Sequence, residues 1–283
     1  HKPDRRQRQM CIRDRSGKHR KATGSNPSPV TDGKYVFVYF KSGDFACLDF
    51  DGKLIWHVNL QERYGQDTLW WDLGTSPILT QEHVVIACMH SGPSYLAAFD
   101  KQTGKTIWKQ ERNMDAPEEA NQSYSTPVVT MHEGQEVIVV LGADHVTAHS
   151  AKTGKQLWLV GGLNPTQNGY FRSISSPVIS GDVVVAPYAR GSSLTAVRLG
   201  GEGDVRGSHV LWESVSISSD VPTPAAKDGR VYVLADKGRV ACLNAESGDV
   251  VAELKLEKHR DAFSASPIIC LLYTSDAADD QAC

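Results

Sequence analysis

The sequence predicts an all-β fold, a β-propeller of four-stranded antiparallel blades, on three observations. A Ser/Thr-Pro dipeptide recurs at Pro29, Pro77, Pro127, Pro177, Pro224 and Pro267, in steps of 48, 50, 50, 47 and 43 residues. A short run of β-branched and aromatic residues follows each of the first five prolines, as buried strands require. A glycine turn then leads into a strand that carries a tryptophan in four of the five units. Self-similarity at a period of roughly 50 residues marks a solenoid, a propeller or an array. Units that are all alike, each with four short strands, select a propeller over a sandwich.

The units follow in order as residues 22–60, 68–112, 121–160, 170–214 and 218–256, and 261–269 supply the first strand of a sixth. Their second strands read KYVFVYF (34–40), HVVIACM (83–89), EVIVVLG (136–142), DVVVAPY (182–188) and RVYVLAD (230–236). The turn before the last strand reads DFDGKLIW (49–56), DKQTGKTIW (100–108), SAKTGKQLW (150–158) and NAESGDVVA (244–252). Asp49, Asp100 and their equivalents cap this turn through the side chain. Gly52, Gly104, Gly154 and Gly248 supply the positive φ that a tight hairpin needs. Trp56, Trp108, Trp158 and Trp212 recur at one place, where a large ring packs on its neighbour while its N–H finds a carbonyl. The fifth unit has Ala252 there and is expected to pack more loosely. In the fourth unit the turn swells to RLGGEGDVRGSHVLW (198–212), read as an elongated hairpin. Gly207 comes one residue too late for a G-x-G-x-x-G phosphate loop, and no helix is expected after it.

The pattern S-P-V, V-x-V, A-x-D-x-x-T-G-K-x-x-W resembles the pyrroloquinoline-quinone (PQQ)-like β-propeller repeat over nearly all of residues 22–269. Quinoprotein dehydrogenases, the outer-membrane assembly lipoprotein BamB and many bacterial secreted proteins share that repeat. The resemblance implies a ring of seven or eight blades, of which five are visible, and a periplasmic or extracellular location. It also implies that two sets of turns share one face around the central channel. Trp70, Trp71, Asp72, Tyr124, Phe171, Arg172 and Arg190 fall there as candidate ligand-binding residues, with Lys41, His90, Asp144 and Lys237 in the second set. Two readings stay open: an aromatic and charged rim for a planar or sugar-like ligand, or aromatics that plug the channel mouth beside solvated charges.

The resemblance makes PQQ with calcium the cofactor to weigh, and none is expected. Dehydrogenases of this class share an adjacent Cys-Cys pair that this sequence lacks. Cys47 and Cys242 occupy the slot of Ala98, Ala148 and Ala196, so no disulfide is expected. No metal site is expected either, since four strand residues separate His145 from His149 by about 13 Å. No catalytic residue is assigned. The reading is a non-catalytic propeller that binds a protein partner or a small ligand on its channel face. The alternative is a PQQ-dependent or sugar-acting enzyme whose catalytic groups lie in further blades.

Both ends of the sequence read differently. Residues 5–15, RRQRQMCIRDR, are the unbroken translation of a DNA string whose reverse complement translates as residues 270–280, CLLYTSDAADD. The string resembles a transposase adapter used to prepare sequencing libraries. Residues 1–15 and 270–283 are therefore expected to be non-native, which removes the basic arm and makes the native part a fragment of about Ser16 to Ile269. The whole chain carries -3 at pH 7. The first tag holds six positive and two negative charges and the second three negative, which leaves -4 for the rest. Bulk charge thus gives no reason to expect nucleic acid. No apolar run reaches the roughly 18 residues of a spanning helix.

Overall fold

The computed structural model describes residues 24–257 and 260–269. The two segments read as adapter translation lie outside the described residues. Five sheets follow one another, each with four antiparallel strands in chain order. Blade I holds β1 (Val30–Thr31), β2 (Tyr35–Tyr39), β3 (Asp44–Asp49) and β4 (Leu54–Asn59). Blade II holds β5 (Ile78–Leu79), β6 (His83–Cys88), β7 (Tyr95–Asp100) and β8 (Thr106–Glu111). Blade III holds β9 (Val128–His132), β10 (Gln135–Gly142), β11 (His145–Ser150) and β12 (Gln156–Val160). Blade IV holds β13 (Val178–Ser180), β14 (Val183–Tyr188), β15 (Ser193–Arg198) and β17 (Val210–Ser214), and blade V holds β18 (Ala225–Lys227), β19 (Arg230–Leu234), β20 (Arg239–Asn244) and β21 (Val250–Lys255). The first strands of successive blades adjoin and form the inner row of the propeller.

The core lies between blades rather than within one layer. Phe37, Phe45 and Trp56 of blade I pack with Val84, Ile86 and Phe99 of blade II. Val85 and Leu96 of blade II pack with Ile138 and Val140 of blade III. The same arrangement joins blade III to IV around Val139, Val146, Val184 and Val197, and blade IV to V around Val183, Leu194, Val231 and Val233. A β-strand points successive side chains to opposite faces. A central strand such as β6 or β14 therefore buries both faces, which is why it reads as an unbroken apolar run.

The Ser/Thr-Pro repeat has a further purpose. A residue before proline is held extended, and here its N–H donates to the hydroxyl of its counterpart in the next unit. Ser28 donates to Ser76 Oγ at 2.9 Å, Ser76 to Thr126 Oγ1 at 3.1 Å, Thr126 to Ser176 Oγ at 2.9 Å and Ser176 to Thr223 Oγ1 at 3.0 Å. Thr223 continues the series to Ser266 Oγ at 3.0 Å. Residues 261–269 thus take the place of the sixth lead, but no ladder is formed there. Without a partner strand among the described residues, the segment is held by Ser266 and by the Phe263 N–H donating to the Asp236 carbonyl at 2.9 Å.

Each tight turn closes as its residues dictate. Gly52, Gly104, Gly154 and Gly248 have φ between 67° and 77°. Asp49 Oδ1 accepts from the N–H of Lys53 at 2.8 Å, and Asp100 Oδ1 from that of Thr103 at 2.8 Å. The Trp56 indole donates to Lys101 O at 2.9 Å, Trp108 to Ala151 O at 3.2 Å and Trp212 to Ala245 O at 2.9 Å, always on the following blade. Trp158 is buried at the same interface, against the swollen turn of blade IV. Cys47, Ala98, Ala148, Ala196 and Cys242 each lie directly across the ladder from the Trp position, and each is followed by a bulge. Cys47, Cys88 and Cys242 are free thiols. The β21 strand with Ala252 has all six residues exposed.

Two expectations are corrected. The 198–212 segment does join the antiparallel pair β15–β17 as an elongated hairpin, but its loop is not confined to that hairpin. Gly200, Gly201 and Gly203 all have positive φ and turn the chain away. A short strand, β16 (Gly203–Asp204), then pairs in parallel with β12 of blade III, which becomes five-stranded. Val205 is buried in the same interface, and Arg206 Nη1 donates to Gly161 O at 2.7 Å, which holds the excursion down. The absence of helix is also not complete. Short helices α1 (Leu60–Tyr64) and α2 (Arg206–His209) form, the first with Asn59 accepting from the Glu62 N–H as its N-cap. Isolated segments this short lack a periodic signal.

Candidate functional site

The leads into the inner strands bring together residues far apart in sequence. Trp71 Nε1 donates to Glu119 Oε1 at 2.9 Å, and Arg172 Nε lies 3.3 Å from the same oxygen. The Arg172 guanidinium is also 5.1 Å from the centre of the Trp71 ring, within cation–π range. Glu119 is 5% exposed, so its carboxylate is taken from water and held by these two partners. The backbone N–H of Trp71 donates to Tyr124 OH at 3.1 Å, and Tyr124 OH donates to Gln122 Oε1 at 2.7 Å. Gln122 Oε1 also accepts from the Trp70 N–H at 3.1 Å. Burial, above all, pushes the Tyr124 phenol well up, so it stays protonated and donates.

This network joins the candidates Trp71, Tyr124 and Arg172. Phe171 is half-buried and packs on the core between blades III and IV. Trp70 is different: it is 60% exposed while its backbone is held by Gln122. Asp72, 1% exposed, pairs with Lys41 of blade I and has φ of 64°. Arg190 is exposed, with Nε 3.9 Å from Asp220 Oδ2, and Asp220 also feels the charges of Arg172 and Glu119. Asp72 and Glu119 are buried and paired, and Arg172 is half-buried against Glu119, whereas Arg190 and Lys237 of the same turns are exposed. Glu119 and Gln122 were not singled out from the sequence. Within PEEANQSY nothing distinguishes them from Glu118 and Asn121; a turn over Glu118–Asn121 decides which side chains enter.

The second set of turns continues the pattern. His90 Nδ1 lies 3.2 Å from Thr68 Oγ1, and burial lowers the pKa of its imidazole. Asp144 accepts from Tyr188 OH at 2.5 Å and from Asn164 Nδ2 at 3.1 Å; burial, first of all, raises its pKa. Burial likewise raises the pKa of Asp220, with Asp236 adding to the effect. Lys237 is exposed at its turn. A separate cavity of about 400 Å³ lies at other turns between blades II and III, beside His83, Glu136 and Lys152, and contains none of the candidates.

The carboxylates of Asp72, Glu119 and Asp144 are bound by Lys41, by Arg172 and Trp71, and by Tyr188 and Asn164 respectively. Among the described residues no three His, Cys, Asp or Glu groups gather in a way that would hold an ion. His145 and His149 diverge: His145 Nδ1 contacts Ala143 O at 2.6 Å, whereas His149 is buried against Gly154 O at 3.1 Å.

Solved structures share the fold. The chain aligns with quinohemoprotein alcohol dehydrogenase ADHIIG from Pseudomonas putida HK5 at 16% identity and a TM-score of 0.56, over 82% of this chain and 42% of that one. It aligns with the computationally designed Ika8 protein at 14% identity and 0.56, over 84% and 64%. With BamB from Moraxella catarrhalis the values are 15% and 0.49, over 86% and 80%. The chain thus spans less than two thirds of the dehydrogenase and of the designed protein. A search of the curated proteins finds no match. The family profile described as outer membrane protein assembly factor BamB matches residues 7–131 and 118–258. Two such matches over most of the sequence, on five blades built alike, show that the chain belongs to this family of PQQ-like β-propeller repeat proteins.

Proposed function

We propose that the protein is a non-catalytic, extracytoplasmic propeller that docks a protein partner on its channel face, centred on Trp70. The observation that carries this reading is the exposed Trp70, tied through its backbone to Gln122 beside the Glu119–Arg172 pair. A rigid exposed aromatic beside satisfied polar groups suits a protein interface, where Trp is enriched among the residues that carry binding energy. The location outside the cytoplasm is supported by the family the chain belongs to. No helix of the described residues is long and apolar enough to cross a membrane. On this reading the five blades are part of a ring of seven or eight, and neither nucleic acid nor PQQ is a partner.

Two measurements test it. Peptides selected by display on the intact protein should lose affinity about tenfold or more on Trp70→Ala and keep it on Met131→Ala, which alters an exposed residue elsewhere. Binding that ignores Trp70 overturns the site. Purified protein supplied with PQQ and calcium should not reduce a dye with alcohols or sugars; substrate-dependent reduction would establish the enzyme instead.

A further inference from the structure

Four residues after Trp56, blade I places Leu60, fully buried. Four residues after Trp108, blade II places Arg112, which is 2% exposed. The repeat therefore tolerates an aliphatic side chain here, and blade II buries a charge instead. Arg112 Nε donates to Thr147 Oγ1 at 2.8 Å, and Nη2 donates to the carbonyls of Gly142 and His145 at 3.1 Å each. Nη1 meets only Met89 Sδ at 3.3 Å, a weak acceptor. Among the described residues no carboxylate pairs with the guanidinium. A buried cation without an anion is destabilising, and burial brings the Arg112 pKa down to about 10.

Arg112 lines a cavity of about 160 Å³ together with Met89, His90, Ser94, Asn113 and the exposed Ser91. The cavity opens among the turns of the second set and is polar on its walls. Its volume suits a single carboxylate or an oxyanion of that size, and an arginine fork matches carboxylate oxygens.

We propose that the Arg112 cavity is an anion-binding site that takes one carboxylate group, either a free small carboxylate or the side chain of an acidic residue on a bound polypeptide. The anion supplies the countercharge that blade II lacks and replaces the weak Met89 contact at Nη1. This inference does not rest on docking at Trp70, and either can fail without the other.

The test is a titration of the intact chain at constant ionic strength with sodium acetate, against sodium chloride, following the Arg112 Nε–Hε resonance. A saturable shift with acetate and none with chloride is expected. Ser91→Trp blocks the mouth from an exposed position and should weaken acetate binding about tenfold or more. Arg112→Met, which gives blade II an uncharged side chain where blade I has Leu60, should abolish it; if that variant does not fold, Ser91→Trp decides. A second arm uses N-acetyl-aspartate amide: binding about tenfold tighter than acetate assigns the carboxylate to a polypeptide, and equal binding assigns it to a small molecule. An acetate response no different from that to chloride, or one unchanged in Ser91→Trp, overturns the site and leaves Arg112 as a tie between blades II and III.

Discussion

The indole of Trp108 lies on Gly154 of the next blade, so close that a Cβ on this glycine would come within 2.5 Å of Trp108 Cε3. With the bond to Ala151 O, this contact locks blade II to blade III. Gly52 has the same backbone conformation and nothing within 4 Å of such a Cβ. Gly52→Ala should therefore cost only the left-handed strain, about 1–2 kcal/mol. Gly154→Ala should add about 1–3 kcal/mol of overpacking. Urea denaturation of the two variants measures the difference; equal costs would show that the Trp–Gly contact contributes nothing.

The hydroxyl series before the prolines makes a second prediction. Thr126→Val keeps shape and removes the acceptor for the Ser76 N–H. Loss of about 1 kcal/mol is expected, with faster amide exchange at Ser76. Unchanged exchange at that amide would mean that water replaces the hydroxyl at no cost.

Glu119 tests the coupling of three leads. Arg172→Ala removes the cation beside a carboxylate that is almost fully buried. A cost of about 2–4 kcal/mol is expected, accompanied by a change in Trp71 fluorescence. Restoring neutrality with Glu119→Gln in the same chain should recover part of that loss. A double variant as unstable as the sum of the singles would show that the two side chains do not interact.

Acid should act through His149. This imidazole is fully buried between Thr147 Oγ1 and Gly154 O, and burial, helped by Arg112, lowers its pKa to about 4. The unfolded chain binds this proton below about pH 6.5 and the folded chain does not, so stability is lost as pH falls from about 6.5 to 4. The buried carboxyls Asp67, Asp144 and Asp220 have raised pKa values and act in the opposite sense. The His149 share is isolated by comparing wild type with His149→Gln: the variant should lose less stability between pH 7 and pH 5, by about 2 kcal/mol. Parallel pH profiles would remove His149 as the cause.

The fold was legible because a propeller repeats its instructions. Proline, strand, glycine turn and tryptophan recur with residue types that admit few alternatives, and each unit restates the last. What the sequence concealed were features in which one unit departs from the others or reaches into its neighbour. The excursion at 203–204 joins blade III because three glycines with positive φ free it and Val205 has a core to enter. The Trp70–Arg172 region was visible only as a set of leads, and Glu119, which ties it together, looked like any loop acid.

The sequence by itself determined the blade architecture, the turn chemistry and the positions of the tryptophans, since those follow from local backbone preferences and a two-residue side-chain period. Only the tertiary structure decided which charges are paired and which are not. Glu119 meets Arg172 across about fifty residues, and Arg112 is buried with no acid beside it among the described residues, where the turn of blade III closes over it with carbonyls. Burial and pairing depend on what neighbouring blades bring to a point in space, and no local pattern along the chain carries that information.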